Sequence, residues 1–312
     1  MTMKDWISQL LDLTIVFSFD HSGFKRHCPE QLQKVGLSGR HGIVTGASSG
    51  IGLEVAKALL QQRMDCQLIG RDLEKLKNSF KSDQSVPCAK YNCLDMSDLK
   101  KVYSFAQDEV EFPIDLLVHN AGGMPNSLTI TNEGFEQMFA SQVLGPFILT
   151  KTLADLGKLR QGCRIVFVSS GGMYLQKLDL SDLLFEKHSY NKYTGYANAK
   201  RAQVILSELF YEKYPQYLFS SMHPGWADTP GVSYSMPLFK KLLNKRLRSA
   251  EEGADTILWL ATTHDYPNGK FWFDRKQAKT TVLNLNKSSK EEEESFWKYC
   301  ESILTSIKGP SS

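Results

Sequence analysis

From residue 41 onward, short apolar or β-branched runs alternate with longer stretches in which apolar residues recur every three to four positions. The runs fall at 41–45, 66–70, 86–94, 114–119, 163–169, 217–223 and 269–274 and read as seven strands. Helical periodicity marks 51–63, 72–82, 97–110, 131–158, 191–214 and 250–262. Such alternation predicts a helix in each crossover between parallel strands, with helices on both faces. The expected fold class is therefore α/β, a single doubly wound domain around a seven-stranded parallel sheet. Its expected limits are 39–276, after an N-terminal extension at 1–38 and before a C-terminal tail at 277–312. The tail reads as a surface helix whose acids at 291–294 suit the positive end of the helix dipole.

Two segments escape the alternation. Residues 225–249 carry Gly225, Pro230, Gly231 and Pro237, then Met236, Leu238, Phe239, Leu242 and Leu243. A long segment beyond a strand's carboxyl end is the expected lid over a binding crevice. Residues 6–19 are apolar-rich but contain Ser8, Gln9 and Asp12, and fall short of the ~20 apolar residues that a spanning helix needs. This stretch reads as an extension packed on the domain, or alternatively as an interfacial helix on a membrane surface through residues 1–20.

Composition narrows the classes further. The 312 residues are 42% hydrophobic and 23% charged, which excludes a disordered chain and supports a sizeable core. Lys plus Arg number 37 against 34 Asp plus Glu, so the net charge of +3 gives no reason to expect a nucleic acid partner. Cys28, Cys66, Cys88, Cys93, Cys163 and Cys300 show neither a CxxC pair nor metal-ligand spacing. No metal site is expected, and reduced thiols point to a cytoplasmic compartment, with a membrane periphery as the alternative.

The chemistry begins at IVTGASSGIG, residues 43–52. A strand ends, three glycines follow, and a helix starts; alone this reads either as a plain strand–turn–helix or as the cradle of a Rossmann dinucleotide site. Gly46 would allow the tight turn, Gly50 the approach of backbone to a diphosphate, and Gly52 the packing of helix on strand. Free N–H groups at the helix start favour that anion, so Ser48, Ser49 and Ile51 are expected contacts as well. The second strand ends in Gly70 and Arg71, where a carboxylate would mark NAD selectivity. A guanidinium there pairs with a 2′-phosphate and favours NADP(H), leaving NAD(H) as the alternative; Asp72 beside it blurs the argument.

TGASSGIG at 45–52, HNAG at 119–122, SS at 169–170, YANAK at 196–200 and PGWADT at 224–229 occur in one order. Together they resemble the short-chain dehydrogenase/reductase family over about residues 40–275. Tyr196 and Lys200 are four apart and share a helix face. A tyrosine pKa near 10 must fall to exchange protons at neutral pH, and a nearby ammonium plus an oxidised nicotinamide favours the phenolate. Tyr196 would then donate the proton to a carbonyl while the cofactor delivers hydride, with Ser170 aligning the oxygen. Lys200 would also hold the nicotinamide ribose.

The resemblance implies further roles. Asp95 would meet the adenine amino group, or else cap the helix starting near Ser97. Asn120, Ala121 and Gly122 would stiffen the strand beside the cofactor, Thr229 would bind the carboxamide, and Pro224 and Gly225 would shape its turn. One departure stands out: Gln142 replaces the family's catalytic Asn, whose helix irregularity offers a backbone carbonyl to a relay water. Met173, Tyr174, Trp226, Met236 and Phe239 are expected around the crevice and imply an apolar carbonyl or alcohol substrate. His119 and His223 read as packed strand residues. The expected activity is an NADP(H)-dependent carbonyl reductase or alcohol dehydrogenase. The rivals are a non-catalytic nucleotide-binding sensor or scaffold and a membrane-surface lipid or retinoid reductase. Relatives often form homo-oligomers, but no interface is legible.

Overall fold

Each central strand buries both faces, so its side chains alternate between two apolar layers. In β1 (His41–Thr45) Ile43 enters one layer and Val44 the other. Leu117 and Val118 divide in the same way in β4 (Ile114–His119), as do Phe167 and Val168 in β5 (Leu159–Val168). The structure, a computed structural model, describes residues 18–81, 89–243, 245–281 and 286–309. The remaining strands are β2 (Asp65–Gly70), β3 (Ala89–Cys93), β6 (Leu218–Met222), β7 (Lys270–Phe273) and β8 (Lys276–Gln277). They lie in the order β3-β2-β1-β4-β5-β6-β7-β8. Pairing is parallel from β3 to β7, as the alternation predicts.

The sheet has eight strands rather than seven. β8 pairs antiparallel with β7 across Asp274 and Arg275, whose φ values of 49° and 60° are those of a tight hairpin turn. Two polar residues leave no hydrophobic period, which is why this strand was not legible. β5 also starts earlier than expected, and the expected strand positions 86–88 lie outside the described residues, as do Cys88 and residues 6–17. The five described cysteines form no disulfide.

Among the described residues one helix comes before the sheet, α1 (His21–His27). The crossovers carry α2 (Gly50–Gln61), α3 (Leu73–Asn78) and α4 (Leu99–Ser104), which runs on as a π-helical turn through Phe105–Glu109. The stretch expected as one helix over 131–158 is broken. Glu136 caps α5 (Gln137–Phe139) by accepting the N–H groups of Met138 and Phe139 at 2.8 and 2.7 Å. A π-helical turn (Ala140–Leu144) then leads into α6 (Gly145–Asp155). α7 (Lys192–Lys213) is the long helix after β5. The expected lid folds as α8 (Pro230–Ser235) and α9 (Pro237–Leu243), and α10 (Ala250–Thr262) leads to β7. The last helix, α11 (Lys290–Lys308), begins with a Ser289–Glu292 capping box. Its Trp297 ring sits 5.0 Å from Phe147 and 4.9 Å from Phe210, so its apolar face belongs to the main core.

Candidate active site

The strand order reverses between β1 and β4, and open α/β sheets bind ligands outside the carboxyl ends at such a point. There the glycine loop and the Asn120–Ala121–Gly122 turn are tied together. Thr45 Oγ1 accepts the N–H groups of Asn120 and Ala121 at 3.0 and 2.9 Å, and Asn120 Nδ2 donates to Thr45 O at 3.0 Å. Gly46 has φ +70°, and a Cβ on it would lie 2.8 Å from Ala121 Cα. A Cβ on Gly52 would lie 2.3 Å from Asn120 Nδ2 and 2.4 Å from Gly46 O, so both positions exclude a side chain.

Ser49 precedes α2 but makes no side-chain capping bond. The first-turn N–H groups are thus left for an anion, and the local residues fit the diphosphate of a dinucleotide. Thr229 lies against Gly50, and the Ile51 side chain packs on Gly253. Ser48 is engaged through its carbonyl, which accepts from Ser79 Oγ at 2.9 Å. Pro224 and Gly225 follow β6 and underlie the loop to Thr229, whose own hydroxyl caps α8 by accepting from Val232 N at 3.3 Å.

At the end of β2, Arg71 is exposed. Asp72 is occupied as the α3 cap, accepting from Lys75 N at 2.9 Å, so the acid beside Arg71 already has a helical duty. Asp95 turns one oxygen onto Ser97, accepting from its N and Oγ at 2.9 and 2.8 Å. The helix-capping alternative for Asp95 is corrected: Asp98 caps α4.

Ser170, Tyr196 and Lys200 come together beyond β5. Ser170 follows the strand and starts a 3-10 turn (Gly171–Leu175), its Oγ accepting from Gly172 N at 3.3 Å. A Cβ on Gly172 would touch the Tyr196 ring at 3.6 Å and Ser170 Oγ at 3.8 Å, so this glycine lies beside both groups. Burial pushes the Tyr196 phenol up, and a hydrogen bond with Ser170 works against that rise. Lys200 Nζ stands 5.5 Å over the Tyr196 ring centre and donates to Val168 O at 2.9 Å and Gln203 Oε1 at 3.0 Å. Burial brings the Lys200 ammonium down to about 7.

Gln142 sits in the π-helical turn, so the helix irregularity expected there exists. Its side-chain Nε2 donates to Gly123 O at 2.7 Å. Its main-chain carbonyl, which the resemblance gives to a relay water, accepts Gln203 Nε2 at 2.8 Å. Gln142 Oε1 and Lys200 Nζ both lie beside Gly122, 3.0 and 3.4 Å from a Cβ built there.

The opposite wall contains residues that sequence reasoning did not reach. Phe19 O accepts Trp226 N at 2.9 Å, and its ring lies 4.3 Å from His223 and 5.8 Å from Trp226. A Cβ on Gly171 would lie 2.8 Å from Phe19 Cε2, which puts this ring next to Ser170. Arg248, 1% exposed, donates to both Asp274 oxygens and to the carbonyls of Ser18 and Asp20. Arg246 donates twice to the Asp20 carboxylate, at 2.9 and 2.7 Å. The RLR at 246–248 was the available signal, but partners more than 200 positions away gave it no meaning in the sequence. Trp226 meets Phe239 at 5.2 Å, and Met236, between α8 and α9, packs on the core. Met173 and Tyr174 are corrected: Met173 is buried with Val204 and Phe271, and the Tyr174 hydroxyl donates to Lys279 O at 2.8 Å. His119 and His223 are buried, which brings both down to about 3, so they are neutral packing residues.

Among the described residues no helix is long and apolar enough to cross a membrane, and no three His, Cys, Asp or Glu side chains converge as metal ligands. Residues 40–178 match the family described as short chain dehydrogenase. Dehydrogenase/reductase SDR family member 12 of Homo sapiens is 36% identical over 302 residues, covering 93% of this chain and 95% of that protein. Retinol dehydrogenase 11 of Mus musculus is 32% identical over 245 residues, 76% of each chain. A crystal structure of a Mycobacterium Paratuberculosis protein aligns with TM-score 0.72 over 87% of this chain and 96% of that one, at 22% identity, a likeness of fold alone. With the glycine cradle, the Tyr196–Lys200 helix and near full-length similarity at this level, the chain belongs to the short-chain dehydrogenase/reductase family.

Proposed function

We propose that this oxidoreductase uses NADP(H) to interconvert an apolar carbonyl compound and its alcohol, with Tyr196 as the acid/base. The observation that carries the reading is that Tyr196 is hydrogen-bonded to Ser170 while Lys200 Nζ stands 5.5 Å over its ring centre. A bound nicotinamide dinucleotide supplies or accepts the hydride. In the reduction direction Tyr196 gives its proton to the substrate oxygen, and the Ser170 hydroxyl orients that oxygen. Lys200 ammonium offsets the charge left on the phenolate, against the burial that otherwise pushes the phenol up. Exposed Arg71, with Asp72 engaged as a cap, supports the choice of NADP(H) over NAD(H). The contiguous aromatic rings of Phe19, Trp226 and Phe239 support an apolar substrate.

The test is calorimetric titration with NADPH and, separately, NADH, followed by reduction of all-trans-retinal and long-chain aldehydes. Tight NADPH binding with turnover that falls about a thousandfold in Tyr196→Phe, at a Kd changed less than about threefold, is the expected result. Binding without turnover would favour the sensor or scaffold, and binding of neither nucleotide would refute the cofactor assignment. A peripheral membrane site for the same chemistry draws support from α9, where Leu238 and Leu242 are 74% and 83% exposed beside Lys240 and Lys241. Sedimentation with vesicles of phosphatidylcholine and phosphatidylserine checks it. Equal pelleting of the full chain and of a Leu238→Ser/Leu242→Ser variant would remove it.

A further inference from the structure

We propose that Gln203 is a positioning residue of the proton-transfer site, its side-chain amide bridging Lys200 Nζ to the main-chain carbonyl of Gln142. The inference rests on the acid/base reading of Tyr196 and adds a residue to it. Lys200 and Gln203 are three apart on α7 and share a face. Gln203 is fully buried, accepts from Lys200 Nζ at 3.0 Å through Oε1, and donates to Gln142 O at 2.8 Å through Nε2. Both ends of the amide are therefore used, and neither bond can be exchanged for one to solvent.

The Gln142 carbonyl is open to this donor for a local reason. In a continuous α-helix its partner would be the N–H four residues on, and that residue is Pro146, which has none. The π-helical turn over Ala140–Leu144 leaves that carbonyl facing α7, and Gln203 satisfies it. The chemistry follows from the two ends. A buried ammonium is costly without acceptors, and burial already lowers Lys200 to about 7. Val168 O and Gln203 Oε1 accept two of its three protons, which leaves the third for the cofactor side. The amide cannot turn its donor end toward Lys200 without abandoning Gln142 O, so the backbone fixes its polarity. Of the groups set against Nζ, namely Val168 O, Gln203, Gln142 and the Tyr196 ring, only Tyr196 titrates. Gln203 thus holds Lys200 in place and in its charged form, and through it sustains the field on Tyr196.

The experiment follows the Lys200 side chain by NMR in protein labelled with 13C at lysine Cε, the resonance assigned by its loss in Lys200→Met. Gln203→Met keeps the length of the side chain and removes both polar ends. It should lower the Lys200 midpoint by about one pH unit, a tenfold change in proton affinity, and reduce kcat about tenfold. NADPH affinity should change less than about threefold. Gln203→Glu keeps an acceptor for Lys200 and adds charge, and should raise the midpoint above that of the parent protein. If Gln203→Met fails to fold, the sign of the Gln203→Glu shift decides. Unchanged midpoints in folded variants, with Tyr196→Phe inactive, would overturn the bridge alone. Turnover that survives Tyr196→Phe would instead overturn the acid/base reading and the purpose of the bridge with it.

Discussion

On the glycine-loop side of the crevice, close approach is achieved by residues without side chains, whereas on the opposite side it is achieved by buried charge. Gly46 and Gly52 let β1, α2 and the Asn120 turn touch backbone to backbone. Facing them, Arg248 gathers Asp274, Ser18 and Asp20 and brings Phe19 beside Gly171. The first wall is local and short in sequence. The second joins Arg248 to Asp274 across 26 positions and Arg246 and Arg248 to Ser18 and Asp20 across 226 to 230. The contrast teaches that the glycine-loop wall is specified by a motif, while the opposite wall is assembled by long-range pairing of desolvated groups.

Removing one partner from the charged wall should have the largest effect. Arg248→Met leaves the Asp274 carboxylate buried with His27 alone and should destabilise the fold by about 3–5 kcal/mol in urea unfolding. A loss below about 1 kcal/mol would mean that packing of Phe19 and Phe273 holds this wall. The same pair has a pH signature. Burial pushes Asp274 up, but bonds from His27 and Arg248 outweigh it and hold the carboxyl below its ordinary value. A depressed folded pKa contributes stability at neutral pH, and that contribution is lost as pH falls below the usual carboxylate value of about 3.9. The parent protein should lose this part of its stability below about pH 4; Asp274→Asn should be flatter over the same range.

Next in size is the glycine wall. Gly52→Ala places a methyl where Asn120 and the Gly46 carbonyl stand, and about 1–3 kcal/mol of stability should be lost with it. Isothermal titration should also show weaker NADPH binding; parent-like stability and affinity together would mean that α2 shifts at little cost. Smaller again is Arg71→Asp, for which the NADPH-to-NADH affinity ratio should fall about tenfold, or 1.4 kcal/mol. An unaltered ratio would assign the phosphate contact to another residue. Smallest is Gln142→Asn: because the main-chain carbonyl, not the side chain, meets Gln203, kcat should change less than about threefold. A loss of a hundredfold would show that the Gln142–Gly123 bond governs the site.

The alternation of apolar runs, the three glycines and the Tyr196–Lys200 spacing were legible because each depends on neighbours within a few residues. Strand period, turn conformation and helix period are short-range consequences of backbone geometry. They were enough for a doubly wound sheet, for the place of the cradle and for the residues that meet beyond β5. Other features were not legible. β8 is too short to carry a period, Met173 and Tyr174 look alike whether they face a pocket or a core, and the broken helix after Glu136 depends on a cap and on Pro146. The roles of Phe19, Arg248 and Gln203 exist only once distant segments meet. A buried cation or amide acquires its function from the partners that replace water around it, and only the tertiary structure chooses those partners.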